Sequence, residues 1–475
     1  MPRSLVIDPV SRIEGRARVT IELDGDGAVV SARLQVTELR GFESICVGRP
    51  LGEMPALTAR ICGICPVSHF LAAARAGDAI LGAPPPPAAR RLRELVQLAQ
   101  VIQSHALSFF YLSAPDLVLG HDGPPERRSI LGLADAAPAL ARDGVALRAF
   151  GQTAIERITG QRIHGAFAVP GGVTRPLSTE ARQAIRAALP AALDAALRTL
   201  QWWETEEPRH ADLAATCGNF PTAFLALVGP GGRLTFAEGA LRLVSATGDL
   251  LEDGLDPAHY AELVCEQPSG ASYLKAPSWR SLGPVEGSYR VGPLARLNVV
   301  DSCGTPRADR ALDRFRSLAS GPVLSTFHAH RARLVEIVHA LERTDELLHD
   351  PLVLDPAVLA PAGARSGEGV GACEAPRGTL FHRYAVDGDG LVTRADLLVA
   401  SAQNALSMDR ALLQASRRWL DGARITPALT NRVEATLRAF DPCLSCSTHA
   451  HGESWVAIRV VGPGGLALDT GDGRR

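Results

Sequence analysis

Four of the nine cysteines fall into two C-x-x-C pairs, Cys62-Gly63-Ile64-Cys65 and Cys443-Leu444-Ser445-Cys446, at opposite ends of a 475-residue chain. Two residues between cysteines let both sulfurs turn to one side and grip one ion, and glycine at 63 is read as permitting the tight turn. A centre built from both pairs forces segments almost the whole chain apart to meet, so the metal site must join the N- and C-terminal parts of the fold. Four thiolates select soft metals: zinc, iron–sulfur, copper(I), or nickel in a sulfur field. On spacing alone a structural zinc tetrahedron is a common outcome. A thioredoxin-like redox motif fits less well, because two matched pairs are present and no βαβ context precedes either. Cys46, Cys217, Cys265, Cys303 and Cys373 stand singly and read as small buried hydrophobes.

Nothing else in the composition competes with that signal. Hydrophobic residues make up 46% and charged residues 21%, as in ordinary globular proteins. A formal net charge of −2 leaves no electrostatic footprint for nucleic acid. No apolar run suggests a transmembrane segment. The start, Met1-Pro2-Arg3-Ser4, leads into a strand-like segment and not a secretory leader, which predicts a cytoplasmic protein unless a partner carries it across a membrane.

Apolar–polar alternation over 16–23 and 28–36, around Asp24-Gly25-Asp26-Gly27, predicts a β-hairpin. A second hairpin is predicted over 378–386 and 391–400, turning at Asp387-Gly388-Asp389-Gly390. After the break at Pro84 to Pro87, helical periodicity runs from about 88 to 112. Another helix starts at Ser178, read as its N-cap, and should kink at Pro190. A third covers about 326–348, and Trp455 to Val461 is strand-like. The expected fold is helix-rich α+β, a central bundle of long helices with peripheral β-hairpins.

The surroundings of the cysteines narrow the metal. Arg60 to His69 reads R-x-C-G-x-C-x-x-x-H, and Asp441 to His449 reads D-P-C-x-x-C-x-x-H. Both resemble the signature motifs of nickel–iron hydrogenase large subunits. Arg12-Ile13-Glu14-Gly15, Arg40-Gly41-Phe42-Glu43, Pro170-Gly171-Gly172 and Glu374-Ala375-Pro376-Arg377-Gly378 resemble further segments of that family in its order, so the likeness spans essentially the chain.

The resemblance implies a catalytic unit over 1–449 that holds nickel through four thiolates. Two of them bridge to an iron carrying carbon monoxide and cyanide. Cys62 and Cys443 would be the terminal nickel ligands, and Cys65 and Cys446 the bridging ones. Splitting dihydrogen needs a Lewis-acidic metal and a nearby base. Cys443 would be the first base, and Glu14 would take the proton on. Arg377, behind Pro376, would lie over the metals, and Ser401 would hydrogen-bond a cyanide. His69 would donate to a bridging sulfur. Glu43, His449 and the Leu397 carbonyl would hold a magnesium ion, for which carboxylate and carbonyl oxygens are suitable. Residues 450–475 would be an extension removed by a maturation protease after nickel-insertion factors have acted.

Some positions depart from the family pattern. Arg16 stands where histidine is usual, and Ser104 where many respiratory members carry aspartate. With Ala271 to Lys275 and Val291 to Asn298, Ser104 points to the soluble NAD-coupled group. The chain has no second cysteine cluster and no Gly-rich dinucleotide fingerprint. Electrons would therefore leave through a small subunit with iron–sulfur clusters, followed by flavin-containing diaphorase subunits. A hydrogen-sensing homologue and a metal-free relative from a quinone-reducing respiratory complex are the alternatives.

Overall fold

The computed structural model describes residues 3–269, 272–420, 425–448, 456–461 and 467–473. The first predicted hairpin forms as Ala17–Leu23 and Val29–Val36, and Arg3–Ile7 adds a third antiparallel strand on the Ala17–Leu23 side. Alternation sends Ala17, Val19 and Ile21 inward, where they share a core with Met408 and Leu412 of the Ala405–Leu420 helix and Leu437 of the Pro427–Phe440 helix. The extreme N-terminal sheet is thus packed against the helices that lead to the second cysteine pair.

The long helices form the expected bundle. Pro87–Ala106, Pro138–Thr159, Thr179–Glu206 and Ala329–His349 pack on one another around Leu92, Val96, Leu147, Leu200, Leu334 and Val338. Ser178 caps as predicted, its hydroxyl accepting from the Ala181 amide at 3.1 Å. The helix then continues through Pro190 to Glu206, so the proline does not interrupt it. The helix expected to end near 112 changes its winding at Ala106: Leu107–Ser113 is a π-helical stretch, and Ala114–Leu119 returns to α. Among the described residues no helix is long and apolar enough to cross a membrane.

The second hairpin forms as Gly378–Val386 and Val392–Leu398, and Glu368–Ala375 completes a three-stranded antiparallel sheet. That extra strand packs against the Pro66–Leu81 helix, which follows the first cysteine pair. The other sheets are not all peripheral hairpins. Ala223–Gly229 is buried along its whole length at the centre of a mixed sheet, pairing in parallel with Tyr289–Arg290 and antiparallel with Ala240–Val244. A strand covered on both faces shows no alternation, which is why hairpin patterning passes over it. Val456–Val461 pairs antiparallel with Ala467–Gly473. Of the single cysteines, four are buried as expected, and Cys265 is half-buried.

Candidate metal centre

The first pair sits where a 3₁₀ turn, Ala59–Ile61, meets a helix. Cys62 is extended (φ −144°, ψ 140°), and Cys65 caps the N-terminus of Pro66–Leu81, with proline at the first helical position. Cys65 lies at the positive end of that helix, yet Cys62 and burial still push its thiol above the ordinary range. Gly63 does not use its conformational freedom: its φ is not positive and a side chain would meet nothing. What fixes the loop is Ile64, whose carbonyl accepts from both Gln100 and Gln103 at 2.7 Å and whose amide points at Cys62 Sγ at 3.2 Å.

The second pair follows the Pro427–Phe440 helix, which ends at Asp441 in a left-handed conformation. The chain then runs beside the Arg12–Gly15 segment. Glu14 and Cys443 form a parallel bridge, and the Leu444 amide donates to the Glu14 carbonyl at 3.1 Å. Gly15 is required here: its φ is +82°, and a Cβ would lie 2.9 Å from that of Leu444. Arg12 anchors the segment through Asp116, 2.6 Å away, and Arg438 reaches the same carboxylate at 3.0 Å. Arg16, in contrast, is largely exposed and forms a long ion pair with Asp8 at 4.0 Å.

The four sulfurs converge as the motifs predict. Cys62 and Cys443 are 3.4 Å apart, Cys65 and Cys446 3.3 Å, Cys443 and Cys446 2.9 Å, and Cys65 and Cys443 3.9 Å. Among the described residues this is the one group of metal-ligating side chains close enough to hold an ion. All four are buried. Burial pushes the Cys443 and Cys446 thiols well above their ordinary range, while hydrogen bonding from Cys443 holds Cys62 below it. The cluster on its own thus favours a shared thiolate, and ionising all four sulfurs needs cationic charge between them.

A closed zinc tetrahedron needs no space beside it. Here a small cavity of about 20 Å³ lies beside Cys65, Cys443 and Cys446, lined also by Ser68, His69, Pro376, Arg377 and Ser401. A second metal with small anionic ligands fits that lining better than a sealed zinc site does. Arg377 is held by Asp441, through its carbonyl at 2.8 Å and its Oδ1 at 3.1 Å, and by Ser104 Oγ at 3.2 Å. Burial opposes its charge but is outweighed by Asp441 and the cysteines, so the guanidinium stays protonated. Ser401 Oγ accepts from the Cys443 amide at 2.8 Å, which leaves its own hydrogen free to donate. Glu14 lies against the loop between the second pair, its Oε2 accepting from the Ser445 amide at 3.1 Å. His69 lines the cavity, burial lowers its pKa to about 4, and its Nδ1 pairs with His382 Nε2 at 3.1 Å.

Glu43 and Leu397 also meet, through the Leu397 amide, which donates to Glu43 Oε1 at 2.8 Å. Burial raises Glu43 to about 7, against the hydrogen bond from Leu397 and the nearby charge of Lys275, and a bound cation would favour its ionised form. Thr448 accepts from the amides of Arg40 and Gly41, beside Glu43. His449 lies outside the described residues. Sequence reading passed over Gln100, Gln103, His382 and the part Asp441 takes in holding Arg377. Asp441 stood inside a recognised motif, and the two glutamines, three apart, share a helix face.

A family profile described as nickel-dependent hydrogenase matches residues 40–119 and 249–449, and a HoxL-like profile matches 4–39. The chain is 39% identical to the NAD-reducing hydrogenase HoxS subunit beta of Cupriavidus necator, over 99% of each chain. It is 40% identical to a chain of the vhu F420-non-reducing hydrogenase of Methanococcus voltae, over 87% of this chain and 98% of the relative. Among solved structures, an NAD+-reducing [NiFe]-hydrogenase in the H2-reduced state superposes with a TM-score of 0.92 at 44% identity, covering 94% of this chain and 99% of that one. The Ni-Fe-Se hydrogenase of D. vulgaris Hildenborough gives 0.77 at 26% identity, covering 94% and 100%. Convergence of four buried sulfurs beside a cavity, on a fold shared over 94% of the chain, has one reading: the protein is a member of the nickel-dependent hydrogenase large-subunit family.

Proposed function

We propose that residues 1–449 form the catalytic unit of a cytoplasmic, NAD-coupled hydrogenase that splits dihydrogen heterolytically and reversibly. The observation that carries this reading is the four-sulfur cluster open on one side to a cavity lined by Arg377 and Ser401. Cys62, Cys65, Cys443 and Cys446 would hold nickel, with Cys62 and Cys443 as its terminal ligands and Cys65 and Cys446 shared with an iron that would carry carbon monoxide and cyanide. When bound, this metal pair supplies the Lewis acid that polarises dihydrogen and takes up its electrons.

The chain supplies the rest. Cys443 Sγ holds the proton, and Glu14, braced on the Ser445 amide, moves it away from the cluster. Arg377 presents a charged fork to anionic ligands, with Pro376 beside it, and Ser401 donates its hydroxyl hydrogen into the same cavity. Burial of the four cysteines excludes bulk water. His69, in the lining of the same cavity, would donate to a bridging sulfur. Glu43, Leu397 and His449 would hold magnesium, and residues 450–475 would be removed by a maturation protease once nickel-insertion factors have acted. Electrons would leave through a small subunit with iron–sulfur clusters, then through flavin-containing diaphorase subunits to NAD. The likeness to the NAD+-reducing enzyme supports that route.

The test is an infrared spectrum of the protein purified with its partners from a host able to build the centre. Bands of metal-bound carbon monoxide and cyanide, lost on Cys65→Ser, are expected. Their absence, together with absence of nickel and iron, in a host that matures a control hydrogenase overturns the reading.

A further inference from the structure

The geometry assigns Arg296 as a positioning residue that fixes the turn carrying Arg377 over the metal cavity. The assignment rests on the role proposed above for Arg377. Pro376 and Arg377 form the tip of a two-residue turn between paired Ala375 and Gly378. A hairpin tip normally turns its carbonyls to water; this one is buried, and its carbonyls need protein donors.

Arg296 supplies them. Its Nη1 donates to Ala375 O at 3.0 Å and to Glu374 Oε2 at 2.8 Å, and its Nη2 to Pro376 O at 3.1 Å. Nε and Nη2 also reach Glu336 Oε1 and Oε2, both at 2.7 Å. A guanidinium has five N–H donors, so every one has an acceptor, and three of the five contacts hold consecutive residues immediately before Arg377. One face of the guanidinium is covered as well, by the Phe236 ring at 5.1 Å.

The network returns to Arg377 by a second route. Glu336 pairs with His105 Nε2 at 2.7 Å, and His105 follows Ser104, whose hydroxyl accepts from Arg377 Nη1. Arg377 is therefore held by Arg296 through the carbonyls of the two residues before it, and at its guanidinium by the helix that Glu336 engages through His105. The backbones are pressed together too: Gly292, just before the Pro293–Val299 helix that carries Arg296, has φ +104°, and a Cβ there would lie 2.8 Å from Arg377 O. Lysine at 296 offers three donors without the planar fork and cannot serve Glu336 in bidentate fashion while gripping two carbonyls.

The test is a double-mutant cycle of Arg296→Lys and Arg377→Lys in the assembled complex, read by turnover and by the infrared bands of the iron ligands. Arg296→Lys should retain nickel and iron, shift the cyanide bands as Arg377→Lys does, and lower turnover roughly 10–100-fold. The double variant should match Arg377→Lys alone within about twofold, because both changes act through one side chain. Additive losses, or unshifted bands in Arg296→Lys, overturn the assignment. If Arg377→Lys itself leaves bands and turnover unchanged, the role proposed for Arg377 fails instead. Should Arg296→Lys not take up metal, Glu336→Gln decides by the same readouts. If neither variant takes up metal, the network is a folding element, and that outcome also overturns the assignment.

Discussion

Two buried polar clusters lie side by side in this protein, and they are built on opposite principles. The Arg296–Glu336–Glu374 network takes its counter-charge from the chain: each donor of Arg296 has an acceptor, and one guanidinium serves two carboxylates, of which Glu374 is still held above its ordinary range by burial. Burial alone would raise Glu336, but Arg296 outweighs it and holds the carboxyl at about 2. The four cysteines are the reverse. Acidic groups of one kind are pressed together, with thiols pushed up by burial, and full ionisation waits on a charge from outside the chain. The cluster with its counter-charge in the chain suits a scaffold, and the other suits a centre that is assembled onto it.

Removing a cysteine should break function without breaking the scaffold. Cys65→Ser is expected to abolish metal uptake, the infrared bands and all hydrogen turnover, while the metal-free chain keeps its far-UV circular dichroism. Full activity in that variant would sink the ligand assignment. Next in size is Glu14→Gln, which keeps an oxygen for the Ser445 amide but cannot carry a proton. Turnover should fall about 10²–10⁴-fold, as for loss of a general base, with metal content and iron-ligand bands intact. Normal isotope exchange between dihydrogen and water in this variant would remove Glu14 from the path.

How far the sequence spoke follows the same division. The sulfur cluster was legible because its ligands come in pairs with fixed local spacing, and a spacing survives without knowledge of the fold. The hairpin over Ala17–Leu23 and Val29–Val36 and the helix capped by Ser178 were legible for the same reason, since each rests on short-range periodicity or capping. Arg296 was not, because its partners at 336 and 374–376 meet it only through tertiary packing. Glu368–Ala375 went unread because its Gly–Ala composition has weak strand propensity. The motif around Gly63 was recognised for the right family and the wrong mechanical reason: Gln100 and Gln103 hold the loop, and the glycine φ is ordinary.

The scaffold cluster can be broken in its own terms. Arg296→Met leaves Glu336 and Glu374 buried without their cation, and loss of one partner of a buried pair costs about 3–5 kcal/mol. The metal-free chain should show that loss as a lower urea midpoint, whereas Cys65→Ser should barely move it. Equal midpoints for the two variants would erase the contrast between the clusters.

A half-buried group away from both clusters gives the smallest effect. Asp409, on the Ala405–Leu420 helix, accepts from the Leu34 amide at 2.8 Å, which ties that helix to the first sheet. Burial raises its carboxyl from 3.8 to about 6, against the hydrogen bond from Leu34 and the nearby charge of Arg33. A folded-state value above the unfolded one means that folding favours the protonated form. Its contribution is full below the unfolded value and is lost as pH rises through about 6. Asp409→Asn keeps the acceptor oxygen and removes the charge. Near about pH 8 it should stabilise the chain by on the order of 1 kcal/mol, and near about pH 4 it should do nothing. Urea midpoints of both proteins at the two pH values check this, and an equal shift at both would show that packing, not ionisation, sets the cost at this position.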